Sequence, residues 1–314
     1  MAWQTVVGQP SELGESPFWH PHEQRLYWVD IPGRKIMRLQ PQTGVVDAWP
    51  MPQDPGCIAP ARTGGQDNGL VIALRDGVYR AHSWGGPLVR VASSPYDVTT
   101  TRFNDGKCDA QGRFWAGTIY EPRNAALASL YCLDARGVAE PVLQPMVGDA
   151  TTANGLAWSP DGRTLYWSDT PRHVTHAWDF DAATGALQNQ RVFQQFAPKP
   201  ADWTPGALGA PSASGYGGRP DGAAVDVDGN YYCAMFEGGR LLKFAPTGAL
   251  LADIPTPVRC PTMPCFGGDD LRTLYLTSAR AGRPAAELEV MPLSGCVFAM
   301  RVETPGLPVN FFLD

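Results

Sequence analysis

The sequence predicts an all-β protein, a six-bladed β-propeller, and three observations lead to this prediction. First, a short apolar or aromatic strand recurs six times in the 314 residues, beginning at positions 26, 70, 113, 165, 231 and 274. Second, consecutive copies are separated by 44, 43, 52, 66 and 43 residues, a period typical of blades with about four short strands. Third, 34 glycines and 30 prolines accompany 10 Trp, 12 Phe and 10 Tyr, which favours many strands and turns over disorder.

The clearest unit is residues 153–170, which has the pattern of a strand, a tight turn and a second strand. Its turn carries the Pro-Asp-Gly signal at 160–162, and its second strand is the aromatic run at 165–167. In most units a third strand follows and ends in a polar turn such as Thr-Gly at 184–185. Because one hairpin is not stable alone, the units are expected to pack side by side.

The whole chain, residues 1–314, is predicted to form one propeller domain with a long loop insertion at about 197–219. That insertion is rich in Pro, Gly, Ala and Ser and contains Trp203 and Tyr216. It is interpreted either as a long surface loop or as a lid over one end of the propeller. Closure of the ring requires the two chain ends to meet, so residues 5–7 are expected to pair in the last blade near Val297 or Phe311.

Composition and charge exclude several classes of function. A net charge of −6 argues against a broad nucleic-acid or acidic-membrane surface. No apolar run approaches the ~18 residues that would span a bilayer, and the N-terminus lacks the basic and apolar regions of a signal peptide. Seven scattered cysteines without a CxxC pair indicate free thiols in a reducing compartment. The predicted location is therefore the cytoplasm, with neither nucleic acid nor membrane as a partner; protein partners are left open.

Four side chains with oxygen atoms precede the first strand of four units: Glu15, Asn104, Asn154 and Asp221. They stand 11, 9, 11 and 10 residues before the recurring strand of their own unit. Because the innermost strands of a propeller line its central channel, equivalent positions should converge on the axis. The matching stretches of the other two units, 57–60 and 263–266, are apolar. The expected cavity is therefore polar on one side and apolar on the other, which suits a small oriented ligand.

These residue types point to a metal site of hard oxygen ligands. Two carboxylates offset the charge of a divalent cation, and an Asn amide adds a neutral carbonyl, which fits Ca²⁺, Mg²⁺ or Mn²⁺ better than a structural zinc. An open coordination position would polarise a carbonyl group. Taken singly, the Asn-Gly at 154–155 and the Asp-Gly at 221–222 are better explained as turn dipeptides, and Glu15 as a solvated loop acid. Their shared position in the repeat favours the metal site instead.

Other candidate residues are interpreted without a catalytic role. His20 and His22 lie at a hairpin tip, and His173 and His176 flank an edge strand, so all four are expected to be solvated. The sequence contains no GxSxG motif, and no histidine accompanies a serine or cysteine at the predicted ring, which argues against covalent acyl catalysis.

From about residue 12 to about 301 the chain resembles the SMP-30/gluconolactonase/regucalcin family. The motifs that carry the resemblance are Leu-Gly-Glu-Ser-Pro around Glu15, Arg-Phe-Asn-Asp-Gly-Lys at 102–107, Asn-Gly at 154–155, Pro-Asp-Gly at 220–222 and Cys-Phe-Gly-Gly at 265–268. The resemblance implies a six-bladed propeller that hydrolyses sugar lactones with one divalent metal ion. Ca²⁺ is favoured, with Mg²⁺, Mn²⁺, Fe²⁺ and Zn²⁺ as alternatives.

The resemblance also assigns roles to individual residues. It implies that Glu15, Asn154 and Asp221 are the metal ligands and that Arg102 and Asn104 hold the sugar oxygens. Glu121 falls where some members of the family carry a substrate-binding acid.

The function predicted from the sequence is the metal-dependent hydrolysis of a sugar lactone, an aldonolactone, to the aldonic acid. Asp221 is expected to serve as a ligand and as the general base that accepts a proton from water. The alternatives are a related propeller esterase or organophosphate hydrolase, and a non-catalytic calcium-binding propeller.

Overall fold

Six β-sheets are arranged as the blades of a propeller in the computed structural model, which describes residues 2–206, 208 and 215–314. Each blade contains four antiparallel strands, and in blades one to five these follow one another in chain order from the axis outwards. The prediction of an all-β, six-bladed propeller is confirmed. The six recurring strands of the sequence are the second strands of the six blades.

The strand bounds of the first three blades are Gly14–His20, Arg25–Asp30, Lys35–Gln40 and Val45–Pro50; Pro55–Thr63, Gln66–Leu74, Gly77–Ala81 and Val89–Ser93; and Thr101–Cys108, Phe114–Tyr120, Ala128–Leu133 and Leu143–Ala150. Those of blades four to six are Ala153–Trp158, Thr164–Asp169, Val174–Phe180 and Leu187–Gln195; Arg219–Val225, Tyr231–Phe236, Arg240–Phe244 and Leu250–Pro255; and Pro261–Gly267, Thr273–Ser278, Val297–Arg301 and Gln4–Val7. A 3₁₀ turn covers Thr170–Arg172 and a short α-helix covers Ala285–Val290.

The blades are held together by large side chains packed between neighbouring sheets. Between blades three and four, for example, Trp115, Trp167 and Trp178 belong to one buried cluster. Trp115 meets Trp158 edge to face at 5.9 Å between ring centroids. Each such ring buries on the order of 150–250 Å², so the recurring aromatic strand is what joins one blade to the next.

The ring closes through the N-terminus, as the sequence predicts. Gln4–Val7 forms the outer strand of blade six and pairs antiparallel with Val297–Arg301. The alternative partner near Phe311 is wrong, because Phe312–Leu313 pairs in parallel with the inner strand of blade two. Phe312 is fully buried there and meets Phe114 at 6.4 Å, so burial of one aromatic ring decides where the C-terminus lies.

The innermost strand of every blade has an irregularity in its pairing near its start. In blades one, three and four it falls between Glu15 and Phe18, between Phe103 and Gly106, and between Asn154 and Ala157. A β-bulge of this kind bends the strand and redirects its side chains. The candidate site residues lie on or directly beside these bulges, so the bulge is what turns them towards the axis.

The Asn-Gly and Asp-Gly dipeptides belong to these bulges and not to turns between strands. Gly155 has a φ of 62°, and a Cβ atom there would lie 2.4 Å from the Tyr231 hydroxyl oxygen. A Cβ on Gly222 would lie 2.4 Å from the Met263 side chain. Both glycines are therefore required by close packing at the axis, which decides against the simple turn interpretation.

A buried ion pair stabilises the hairpin turn of blade three. The Asp109 carboxylate accepts a hydrogen bond from Arg113 Nε at 2.6 Å and another from Trp115 Nε1 at 2.8 Å, and it also accepts the backbone N–H groups of Gln111 and Arg113. The Asp109 and Arg113 side chains are 2% and 3% exposed. This one carboxylate therefore fixes the turn, the neighbouring arginine and a core tryptophan.

All seven cysteines are free and buried, in agreement with the free thiols expected from the sequence. Within the described ranges, no helix is long and apolar enough to cross a membrane.

Candidate functional site

A cavity of about 530 Å³ opens at the end of the propeller where the inner strands begin. Five blades contribute to its wall, through the starts of their inner strands and through the residues that follow their second strands. Its polar lining includes Glu15, Arg102, Asn104, Asn154, Arg219 and Asp221. We call it the site cavity. The structure thus brings five of the six residues selected from the sequence to one place.

The sequence analysis expected the four oxygen-bearing residues to occupy one equivalent position of the repeat, but they occupy two. Glu15 and Asn154 both occupy the last paired position before the bulge. Asn104 and Asp221 each lie one residue further, inside the bulge, because Phe103 and Pro220 hold the paired positions. The bulge absorbs the difference, since two unpaired residues can both be turned towards the axis.

The prediction that one side of the site cavity is apolar is wrong. Ile58, Ala59 and residues 263–266 line a different cavity of about 130 Å³, together with Phe18 and Trp19. These residues lie beyond the bulge on inner strands that all run the same way, so they reach the other end of the channel. The C-terminal residues 307–310 form part of the wall of that second cavity.

Glu15 and Asp221 are two buried carboxylates whose negative charges repel each other. Both side chains are 6% exposed. Burial raises the pKa of Glu15 well above its usual value, and the charges of Asp221 and Asp105 raise it further. Burial, followed by the charge of Asp105, likewise raises the pKa of Asp221 well above its usual value. Like charges brought together away from water suit a place that binds a cation.

Asp105 lies beneath this pair and is only partly satisfied. Its Oδ2 accepts the backbone N–H of Leu156 at 2.8 Å, whereas its buried Oδ1 has no hydrogen-bond partner among the described residues. Burial raises its pKa, and the positive charge of Lys107 opposes that shift. Lys107 in turn donates a hydrogen bond to the carbonyl of Ala223 across the channel.

A chain of hydrogen bonds fixes the orientation of the two amides. Arg102 Nη1 donates to Asn104 Oδ1 at 3.0 Å, and Asn104 Nδ2 donates to Asn154 Oδ1 at 3.1 Å. Asn154 Nδ2 then donates to Thr170 Oγ1 at 2.7 Å, whose hydroxyl donates to the carbonyl of Pro220 at 2.7 Å. Because the NH₂ group of Asn154 donates to Thr170, its carbonyl oxygen faces Asn104, and this oxygen keeps a second lone pair for a ligand in the cavity.

Arg102 links the cavity to its rim. Its side chain is 11% exposed, and its Nε lies 3.4 Å from Glu121 Oε1. Burial lowers its pKa, while the charge of Glu121 raises it. Glu121 is 37% exposed and also receives two hydrogen bonds from Arg75. Glu121 is not part of the described cavity wall, so it acts on the cavity through Arg102.

The insertion at 197–219 packs against the rim of the site cavity where it is described. Lys199 Nζ donates to both carboxylate oxygens of Glu237, at 2.8 and 2.9 Å, and the Tyr216 hydroxyl donates to Glu237 Oε2 at 2.8 Å. Lys199 also stacks on the Trp203 ring at 4.6 Å. The predicted insertion therefore lies at this mouth; its residues 207 and 209–214 fall outside the described residues.

The histidines are less exposed than the sequence reading expected. His22 is in a turn and its side chain is 63% exposed, as predicted, but His20 is 3% exposed because Phe311 packs on it at 5.5 Å. His173 is 6% exposed beneath Tyr216, whereas His176 is half-buried. The solvated interpretation is therefore wrong for His20 and His173. In neither case could the sequence show the covering segment.

The chemistry of the donors suits a divalent cation with oxygen ligands. Within the part of the chain that the structure describes, no three His, Cys, Asp or Glu side chains are grouped in a metal-binding geometry. A cation here would therefore need the Asn154 carbonyl and water oxygens besides the carboxylates of Glu15 and Asp221. Such a mixed oxygen set matches Ca²⁺ or Mg²⁺. Two observations support the fit of such an ion. The buried Asp105 Oδ1 has no hydrogen-bond partner among the described residues, and the buried carboxylates of Glu15 and Asp221 raise each other's need for a compensating positive charge.

The sequence analysis selected Glu121 but missed Thr170 and Glu237, which also directly follow second strands. Thr170 and Glu237 occupy this position in blades four and five and line the site cavity, and Glu121 occupies it in blade three. Because the second strand runs antiparallel to the first, it returns the chain to the end where the inner strands begin. A polar residue directly after the recurring strand, as in blades three to five, was therefore a usable signal.

The fold and cavity define a propeller with an enclosed polar site for a small ligand, and comparison with known proteins agrees. The family model described as SMP-30/Gluconolactonase/LRE-like region matches residues 13–280. A 6-deoxy-6-sulfogluconolactonase of Pseudomonas putida is 45% identical over 309 residues, covering 98% of this chain and 97% of the relative. Regucalcin of Danio rerio is 32% identical over 300 residues, covering 94% and 92%.

A solved structure gives the same answer for the fold. The calcium-binding protein regucalcin of Agrobacterium tumefaciens superposes with a TM-score of 0.87 at 25% identity, over 99% of this chain and 97% of that one. This chain belongs to the SMP-30/gluconolactonase/LRE-like family, and the resemblance drawn from its motifs is confirmed.

Proposed function

We propose that this chain holds one divalent cation in the site cavity and hydrolyses a sugar lactone, an aldonolactone, to the aldonic acid. Its class, a lactone-hydrolysing enzyme, rests on its family and on 45% identity to a 6-deoxy-6-sulfogluconolactonase. One observation supports the metal and the reaction more than any other. Glu15, Asn154 and Asp221 converge on one buried cavity beside the Arg102 guanidinium.

Glu15, Asn154 and Asp221 are the proposed ligands. Ca²⁺ is the favoured ion because the donors are oxygens and because a similar structure is described as that of a calcium-binding protein; Mg²⁺, Mn²⁺, Fe²⁺ and Zn²⁺ are alternatives. When bound, the cation supplies a Lewis acid that polarises the lactone carbonyl and a charge that keeps both carboxylates ionised.

The side chains of the cavity supply the remaining chemistry. Asp221 is the proposed general base: its carboxylate accepts a proton from the water that attacks the lactone. Arg102 and Asn104, joined by a 3.0 Å hydrogen bond, hold the sugar oxygens: the Arg102 guanidinium donates to them, and the Asn104 carbonyl oxygen accepts from a sugar hydroxyl, because both N–H groups of Asn104 already bind Ala153 and Asn154. Glu121 keeps the Arg102 guanidinium in place from the rim.

The proposed substrate class is a monosaccharide lactone. A cavity of about 530 Å³ is in the range that encloses one sugar ring. The relative of 45% identity is named for 6-deoxy-6-sulfogluconolactone, and we propose that compound as the first aldonolactone to test.

Metal removal gives a direct test of the proposal. We expect the chelated protein to hydrolyse glucono-δ-lactone at least about 100-fold more slowly than the protein with Ca²⁺ restored, because the charge that stabilises the transition state is lost. Proton release in a pH-stat measures the rate. Equal rates with and without chelator contradict metal dependence, and parallel additions of Mg²⁺, Mn²⁺, Fe²⁺ and Zn²⁺ rank the ions.

A panel of other substrates separates the alternatives. Aryl esters and phosphotriesters, assayed with the same metal-loaded protein, test a propeller esterase or organophosphate hydrolase. A protein that binds Ca²⁺ but hydrolyses no member of the panel is instead a non-catalytic calcium-binding propeller.

The Thr170 hydroxyl gives a prediction about the orientation of Asn154. Thr170→Val removes the acceptor of the Asn154 amide and should weaken Ca²⁺ affinity by about 10-fold or more, the usual effect of losing a group that orients a ligand. Competition with a calcium indicator measures the dissociation constant. Thr170→Ser keeps the hydroxyl and should restore wild-type affinity. Wild-type affinity in the valine variant would show that Asn154 does not depend on Thr170.

We also propose that residues 1–314 form one domain that works in the cytoplasm. Pairing of Gln4–Val7 with Val297–Arg301 supports a single closed ring. Seven free, buried cysteines support a reducing compartment.

A further inference from the structure

We infer that the site cavity contains a subsite for a tetrahedral anionic group on the lactone, a sulfonate or a phosphate, and that Arg219 and Arg283 form it. The inference rests on the proposed lactonase function and adds the part of the substrate that these two residues bind. Both arginines line the site cavity together with Phe236 and Glu237.

The charges at this side of the cavity do not balance. Arg219 and Arg283 belong to a cationic cluster whose ion pairs, among the described residues, are made with two carboxylates. Its four members are Lys199, Arg219, Arg259 and Arg283. Glu237 pairs with three of these cations and Glu287 with Arg259 and Arg283. Among the ion-paired groups, four positive charges and two negative charges leave an excess of positive charge, and Asp221, which interacts electrostatically with Arg219, offsets part of it while it is ionised. The negative charge of a sulfonate or a phosphate would offset the remainder.

Glu237 positions three of the cations but neutralises only one of their charges. Its side chain is 5% exposed and lies 3.2 Å from Arg219 Nη2 and 3.1 Å from Arg283 Nη1. Its backbone has a φ of 68°, a left-handed conformation that costs a residue with a side chain free energy. Burial acts to raise the pKa of Glu237, but the hydrogen bonds from Lys199 and the charge of Arg219 outweigh it and lower the pKa overall. The fold thus keeps an ionised carboxylate at position 237 in spite of the strained backbone conformation there.

The arginines have hydrogen-bonding capacity left for a ligand. Arg219 Nε is buried and has no hydrogen-bond partner among the described residues, although its guanidinium lies over the Phe236 ring at 5.3 Å. A buried donor without a partner is costly, and a bound oxyanion would satisfy it. Arg283 is 9% exposed, and its Nε and Nη2 already bind Glu287. Its Nη1 donates to Glu237 Oε1 at 3.1 Å, which leaves one N–H of that group for a ligand.

The subsite lies at a distance from Asp221 that suits one substrate molecule. Arg219 precedes Asp221 by two residues on the inner strand of blade five, so their Cα atoms are at most about 7 Å apart, and both residues line the site cavity. This separation is on the scale of one sugar ring. A lactone whose carbonyl lies beside Asp221 would therefore place a substituent at its far carbon against Arg219. A neutral hydroxymethyl group there would leave the positive charges unmatched.

Arg219→Gln tests the subsite with three lactones: glucono-δ-lactone and its derivatives with a 6-sulfonate or a 6-phosphate in place of the 6-hydroxyl. We expect the ratio of kcat/KM for the anionic lactones to kcat/KM for the neutral lactone to fall about 10- to 100-fold in the variant. The sulfonate and the phosphate arms show which oxyanion the wild-type cavity prefers. An unchanged ratio overturns the subsite.

A matched control is available in the same blade. Arg240, like Arg219, has a side chain that is 21% exposed, but it pairs with Asp253 and is not part of the cavity wall that the structure describes. Arg240→Gln should leave the ratio within about twofold of wild type. An equal fall in both variants would mean a general loss of structure, and would overturn the specific role of Arg219.

A binding measurement keeps this inference separate from the proposed function. Calorimetric titration of the metal-loaded protein with inorganic sulfate should show binding that Arg219→Gln weakens at least about 10-fold. If the wild-type protein hydrolyses no lactone but binds sulfate through Arg219, the proposed function fails and the subsite stands. Absence of sulfate binding together with an unchanged substrate ratio removes the subsite. Lys199→Gln, a change at a partly exposed residue, serves as a second variant if Arg219→Gln does not fold.

Discussion

Asp221→Asn should lower kcat/KM for lactone hydrolysis by at least about 1000-fold, since it removes both a proposed ligand and the proposed base. The amide has the size of the carboxylate, so the fold should persist. The same change should raise the melting temperature of the chelated protein at neutral pH, because folding no longer brings Asp221 and Glu15 together as buried charges. Rates from a pH-stat and melting curves of the chelated protein check both outcomes.

The pH dependence of that stability difference has a definite sign. Burial raises the pKa of Asp221 in the folded protein above its unfolded value, so the wild-type protein loses stability as the pH rises through the folded pKa. The advantage of Asp221→Asn should therefore be largest at neutral pH and disappear in acid. Asp253→Asn, at a side chain 43% exposed and paired with Arg240, is the control and should change neither rate nor melting temperature appreciably. Wild-type activity in the Asp221→Asn variant would contradict the role proposed for Asp221.

Asp109→Ala should destabilise the protein by about 3–5 kcal/mol, the usual cost of removing one partner of a buried ion pair. The substitution leaves the buried Arg113 guanidinium without its carboxylate and Trp115 Nε1 without its acceptor. The melting temperature should fall by at least about 5 °C, given the size of the protein. Urea unfolding followed by tryptophan fluorescence provides the free energy of unfolding.

Asp134→Ala is the matched control in the same blade. Asp134 also pairs with an arginine, Arg136, but its side chain is 42% exposed and that of Arg136 is 36% exposed. Its loss should change the free energy of unfolding by less than about 1 kcal/mol, as for other exposed pairs. Equal effects at Asp109 and Asp134 would contradict the argument that burial decides the value of these contacts.

The blade repeat could be predicted from the sequence because it depends on local patterns. Each recurring strand is apolar or aromatic over five residues and is followed by turn signals, so its existence requires no knowledge of distant contacts. Pairing of the N-terminal strand with Val297–Arg301 followed from the need to close a ring. The two-residue pairing of Phe312–Leu313 with blade two could not be predicted, because so short a segment carries no periodic signal.

The candidate site was predicted in outline and not in detail. Glu15 and Asn154 were found because they precede a repeated strand, but counting residues could not show that Asp221 lies one step further inside a bulge. The cationic cluster was not predicted from the sequence. Lys199 lies in the insertion and Arg219 in the inner strand of blade five, whereas Arg259 directly precedes blade six and Arg283 lies between its second and third strands. No local sequence pattern connects these four positions.

The way in which the N-terminal strand completes blade six sets the timing of folding on the ribosome. Gly8 and Cys296, which touch where the ring closes, are 288 residues apart in the chain. At roughly 5–20 residues per second, synthesis of that interval takes about 15–60 s. During this time Gln4–Val7 has no partner strand, and apolar surface of the first blade remains exposed to solvent. Gln4–Val7 therefore precedes every other strand of the propeller in the chain but is the last to pair, and rapid packing of neighbouring blades would shorten the exposure of their apolar faces.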